Sequence, residues 1–119
     1  MNKILRTLAV LITATATIPC FAHAKLQRSE PEDGSTVTVA PAAVKLHYNE
    51  PVEAAMSRVK FVGSLDMAVR AGTPALAEGD DKTLVVPVSK LPAGDYRVEW
   101  STMGRDGHHT NGEVRFTVK

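Results

Sequence analysis

Short stretches of alternating apolar and polar side chains, each stopped by proline or glycine, run through most of this 119-residue chain and leave little room for helix. Successive side chains of a strand point to opposite faces, so such alternation marks a half-buried strand. Val44-Lys45-Leu46-His47-Tyr48 follows it, bracketed by Pro41 and Pro51. Arg58-Val59-Lys60-Phe61-Val62 repeats it and stops at Gly63. Tyr96-Arg97-Val98-Glu99-Trp100 follows the turn Leu91-Pro92-Ala93-Gly94, and Val114-Arg115-Phe116-Thr117-Val118 closes the chain. Leu26 to Ser29 reads as a first strand, ended by the turn Pro31-Glu32-Asp33-Gly34. Thr83 to Val88 is more continuously apolar, and Pro87 suggests a bulge or an edge strand there. Helix signals reach one turn at most, at Val52 to Ser57 and Ala75-Leu76-Ala77-Glu78, too short to stand alone. The spacing predicts an all-β domain, a Greek-key immunoglobulin-like β-sandwich or barrel.

The first residues obey a different rule. Lys3 and Arg6 precede an apolar run from Leu8, then Pro19, Cys20 and Ala22. That is the order of a secretory signal peptide, predicted to span residues 1–22, with one domain over residues 23–119. Two cuts satisfy the small-x-small rule, one after Ala22 and one after Ala24. The apolar run, about a dozen residues, falls short of the roughly 20 that a membrane-spanning helix needs. A lipidated Cys20 is disfavoured, because Pro19 stands where a small residue is expected.

The single cysteine lies inside the leader, so the exported domain has neither a disulfide nor a thiolate ligand. It must be held by an ordinary hydrophobic core, in the periplasm or outside the cell. Lys and Arg number 14 against 13 Asp and Glu, and the leader takes Lys3 and Arg6 with it. With near-neutral charge and no basic run, nothing points to a nucleic-acid or anionic-membrane surface.

Cleavage after Ala22 would make His23 the first residue, offering its α-amine and imidazole Nδ1 to one ion. Near the other end, Asp106-Gly107-His108-His109 lies in a loop between two strands, where binding groups are commonly carried. Copper(II) favours tetragonal sets of nitrogen and oxygen ligands, which His23, Asp106 and His108 could supply. The residues alone equally fit a polar hairpin rich in turn formers, with incidental histidines. His47 points away from the face of Leu46 and Tyr48 and reads as an exposed structural histidine. His109 is a spare group, and Glu50 is either a charge partner of the site or a solvated strand end. Met56, Met67 and Met103 are scattered and read as core residues, since a copper(I) site needs converging thioethers.

Taken in order, His23-Ala24-Lys25-Leu26, Ser29-Glu30-Pro31-Glu32-Asp33-Gly34, Val44 to Glu50, Leu91 to Trp100, and Asp106-Gly107-His108 with Gly112 to Val118 resemble the periplasmic copper-resistance protein family CopC. The resemblance covers essentially the whole exported domain. It implies a small Greek-key β-barrel or sandwich, cleavage after Ala22, and a copper(II) site made by His23 (amine and imidazole), Asp106 and His108. Many members also hold copper(I) in a methionine-rich loop; here the corresponding stretch, about Val62 to Pro74, contains only Met67, which implies a copper(II)-only type. A CopD-type inner-membrane copper transporter is the implied partner. The expected function is a periplasmic copper carrier or buffer in copper homeostasis or resistance, with no catalysis. The alternative is an immunoglobulin-like structural or interaction module without physiological metal. An oxidative polysaccharide-cleaving enzyme with a terminal histidine would be larger and would keep open the position that Asp106 fills.

Overall fold

The alternating segments pair into two sheets whose apolar faces meet. The computed structural model describes residues 23–119 and Ala16. The predicted leader, Ala16 aside, lies outside the described residues. Within them, nine strands run in the order β1 (Leu26–Glu30), β2 (Ser35–Val37), β3 (Ala43–Tyr48), β4 (Arg58–Val62), β5 (Ala68–Val69), β6 (Ala75–Ala77), β7 (Asp80–Pro87), β8 (Gly94–Met103) and β9 (His109–Val118). One sheet has the order β1-β3-β7-β6 and the other β2-β9-β8-β4-β5, so the chain crosses repeatedly between layers. This is the predicted all-β sandwich. No helix among the described residues is long and apolar enough to cross a membrane.

Alternation decides which side chains enter the core. On β8, Tyr96, Val98, Trp100 and Thr102 are buried, while the residues between them face outward. Val114, Phe116 and Val118 of β9 meet Val44, Leu46 and Tyr48 of β3 and Leu84 and Val86 of β7 in one apolar cluster. Each fully buried Val, Leu or Phe contributes roughly 1.5–3 kcal/mol, enough to hold a small domain without a disulfide. Tyr48 and Trp100 meet edge to face with ring centroids 5.3 Å apart, joining the two sheets at one end.

Several local expectations change. Ala75 to Glu78 is not a helical turn: Ala75–Ala77 forms β6, which pairs with β7 across a turn at Gly79 (φ 71°). Four residues cannot repay helix nucleation, whereas a hairpin supplies their backbone partners at once. Val52 to Ser57 does contain a turn, the 3-10 segment Ala54–Met56. β2 and β5 carry too few residues to show alternation. β2 is held by parallel pairing with β9, Ser35 opposite Phe116. Pro87 lies in an interior strand and not at an edge; it is the last residue of β7, opposite Ala43.

Two of the three methionines also depart from the core reading. Met56 is 51% and Met67 66% exposed, because each sits in or beside a 3-10 turn that buries no side chain. His47 is not exposed either. Its side chain keeps 15% of its surface and bonds Thr83 Oγ1 through Nδ1 at 2.8 Å.

Candidate metal centre

Strands β8 and β9 form the longest pairing of the fold, running from Gly94 opposite Val118 to Met103 opposite His109. A hairpin this rigid presents its connecting loop, residues 104–108, as a defined object. The loop closes through Gly104 N–H to His108 C=O and Gly107 N–H to Gly104 C=O, both at 3.0 Å. Gly107 has φ 83°, a left-handed conformation that glycine adopts without steric cost. Asp106 and His108 therefore meet across a tight turn, not along an extended segment.

Within the turn Asp106 folds back on His108. Its Oδ1 accepts the His108 backbone N–H at 3.1 Å, the usual Asx arrangement. Its Oδ2 lies 3.0 Å from His108 Nδ1. The backbone N–H first, then the imidazole, hold the Asp106 carboxyl below its ordinary value, with the nearby His23 adding to the effect. An ionised carboxylate only accepts, so in this contact the proton lies on Nδ1 of His108. Such a carboxylate–imidazole contact is how metal-binding histidines are oriented. Gly104 makes room for it: a Cβ there would stand 2.9 Å from Asp106 Oδ1. Arg105 ties the loop to its surroundings through Asp81 Oδ2 at 2.7 Å.

The segment before β1 passes beside this loop. The ring centroids of His23 and His108 lie 4.8 Å apart, nearly perpendicular. One donor atom from each of His23, Asp106 and His108 lies within 4.8 Å of the others, all three residues being exposed. The structure thus brings together two histidines and one carboxylate from opposite ends of the chain. Among the described residues it is the one such group of three. Its donors are nitrogen and oxygen only, and the carboxylate is already ionised, which fits a divalent ion of the copper(II) type.

The remaining candidates stand elsewhere. Neither His109 nor Glu50 belongs to the group. His47 lies on the other sheet, with Nε2 3.6 Å from Glu30 Oε2. Hydroxyl, imidazole and carboxylate in series there resemble a nucleophile relay. However, Thr83 is only 2% exposed and gives its proton to Asp80 Oδ2 at 2.7 Å, so the hydroxyl is neither reachable nor free to attack. Two residues that hold the segment following His23 escaped sequence reasoning. Thr110 donates to the Ala24 carbonyl at 2.8 Å, and Asn49 Oδ1 accepts the Lys25 N–H at 2.7 Å. No signal in the sequence separates them from ordinary strand and turn residues.

The CopC domain family matches residues 26–119, and the chain belongs to that family. Copper resistance protein C of Pseudomonas syringae pv. tomato is 39% identical over 106 residues, covering 82% of each chain. The crystal structure of PcoC, described as a methionine-rich copper resistance protein from Escherichia coli, superposes with a TM-score of 0.75. It is 34% identical and covers 82% of this chain and all of that one. The copper transport protein CutJ of Bacillus subtilis is 32% identical over 99 residues, which make up 82% of this chain but only 18% of that longer one.

Proposed function

We propose that the chain, after removal of residues 1–22, is a periplasmic copper(II)-binding protein that carries or buffers the ion without catalytic turnover. The observation that supports this best is the convergence of His23, Asp106 and His108 within 4.8 Å. Cleavage after Ala22 would turn the His23 peptide nitrogen into an amine, with a reference pKa of about 7.7–8 and so deprotonated readily in the presence of metal. The ion would then meet the amine and imidazole of His23, an imidazole nitrogen of His108 and a carboxylate oxygen of Asp106 released from its contact with that ring. Copper is cargo here, and the names of the family relatives supply the metal's identity.

A copper(II)-only member is favoured because residues 62–74, the counterpart of the methionine-rich loop, hold only Met67. One thioether cannot make a soft site alone. A CopD-type membrane transporter is the partner we propose, in keeping with a related segment being built into the longer transport protein CutJ. Absence of turnover is favoured by Asp106, which would occupy a position that oxygen chemistry needs open.

The test is titration of protein beginning at His23 with copper(II), followed by quenching of Trp100, the one tryptophan, on the strand leading into the loop. One equivalent with the visible and paramagnetic spectra of a tetragonal nitrogen–oxygen site is expected, with no peroxide-dependent oxidation by the copper form. Failure to reach a stoichiometric endpoint would contradict the proposal.

A further inference from the structure

Once the leader is gone, nothing precedes His23, so its place beside the loop depends on what holds residues 24 and 25. A free chain end would sample many backbone states, and fixing each residue costs about 1–2 kcal/mol of entropy. The structure shows what opposes this fraying. Thr110 Oγ1 donates to the Ala24 carbonyl at 2.8 Å. Asn49 grips the next residue from the other side: its Oδ1 accepts the Lys25 N–H at 2.7 Å, and its own N–H donates to the Lys25 carbonyl at 3.0 Å. Between these contacts Ala24 is 1% exposed and belongs to the core cluster. Its Cβ approaches Gly104, where an added Cβ would lie 3.9 Å away.

The two grips come from different layers. Thr110 is on β9, two residues beyond His108, so the hydroxyl that holds the terminal segment shares a strand with the loop that carries the other donors. Asn49 directly follows β3 in the opposite sheet. A threonine hydroxyl has one proton, and here it goes to Ala24. The buried Thr102 hydroxyl lies 3.4 Å from that of Thr110, on its core side.

We infer that Thr110 and Asn49 are positioning residues that hold the amino-terminal residue in register with the β8–β9 loop, so that copper(II) meets a preassembled set of donors; this rests on the copper reading above. Neither side chain touches the ion. Each fixes the backbone one or two residues from it, the role that partners of metal ligands commonly play.

The test uses proteins that all begin at His23: wild type, Thr110→Val, Thr110→Ser and Asn49→Ala. Copper(II) affinity is measured by competition with a chromophoric chelator, the coordination by paramagnetic resonance at one equivalent, and folding by thermal unfolding without metal. Thr110→Val keeps the shape and removes the donor. Its affinity and that of Asn49→Ala are expected to fall about tenfold or more, as for partners of metal ligands. Their resonance spectra should show more than one copper species, while Thr110→Ser keeps the wild-type affinity and spectrum. If both weakened variants bind within about twofold of wild type, a difference under 0.5 kcal/mol, and keep a single species, the inference is overturned and the copper reading stands. If wild type binds no copper, that reading fails and takes this inference with it. Should Thr110→Val not fold, Asn49→Ala and Thr110→Ser carry the same comparison, since neither disturbs the inward packing of β9.

Discussion

Replacing Gly104 by alanine isolates the Asp106–His108 pair without touching either residue. Gly104 has no left-handed φ, so alanine meets no backbone penalty there. The new methyl would stand 2.9 Å from Asp106 Oδ1, well inside ordinary van der Waals contact, and 3.9 Å from Ala24 Cβ, which is comfortable. The carboxylate is the end of a short side chain on an exposed residue and gives way first. To regain contact distance it must swing by roughly half an ångström or more, enough to spoil a hydrogen bond. That movement breaks the bond from Oδ1 to the His108 N–H, at 3.1 Å, and tilts Oδ2 away from Nδ1, at 3.0 Å. The core is untouched, so the melting temperature of the metal-free protein should fall by no more than about 5 °C, under 1–2 kcal/mol for a domain this size. Copper(II) affinity, measured by chelator competition on protein beginning at His23, should drop about 10- to 100-fold. Affinity within about twofold of wild type would show that the seating of the loop carboxylate on His108 has no part in binding.

His108→Ala should weaken copper binding at least as much, since His23 is the one other imidazole of the group among the described residues. His47→Ala should leave copper binding unchanged and lower the melting temperature, because it removes the partner of Thr83 and the neighbour of Glu30. Stability should also fall in acid below about pH 4, read by thermal unfolding across a pH series. Partial burial pushes the Glu30 carboxyl up, but His47, Arg28 and Lys45 together hold it below its ordinary 4.5. Asp80 is held below its ordinary 3.8, chiefly by the Thr83 hydroxyl and then the Lys82 N–H. Both bind protons more weakly when folded, so their stabilisation is complete above the unfolded values and is lost as pH falls through the folded ones. His47→Ala should shrink this dependence. Gly112→Ala should destabilise by about 1–3 kcal/mol through overpacking and shift Trp100 emission, since the methyl would lie 2.7 Å from Trp100 Cζ2.

The long strands were legible because period-two alternation is a direct consequence of facing one core. Val44 to Tyr48, Tyr96 to Trp100 and Val114 to Val118 all lie in strands with their apolar members inward. Two- and three-residue strands such as Ala68–Val69 and Ser35–Val37 carry no such period, and partners distant in sequence define them. Ala75 to Ala77 has helix-forming composition, yet pairing with β7 overrides it. The chemistry of the site was legible as residue types, whereas its assembly was not. His23 and His108 meet only because the segment before β1 is pulled against the β8–β9 hairpin. Thr110, Asn49 and Gly104 were invisible for the same reason: each acts through backbone groups or empty space supplied by a distant segment. Met56, Met67 and His47 were misjudged because burial belongs to the assembled sheets, not to a local window.

The most direct measurement compares two proteins differing by one added residue, one beginning at His23 and one carrying a single methionine before it. Each receives one equivalent of copper(II) and is followed by paramagnetic resonance and chelator competition. The extension turns the amine of His23 into an amide and changes nothing else in the group. Loss of a nitrogen from the resonance pattern and a large loss of affinity in the extended protein are expected. Identical spectra and equal affinities would show that the amino terminus of His23 does not hold the ion.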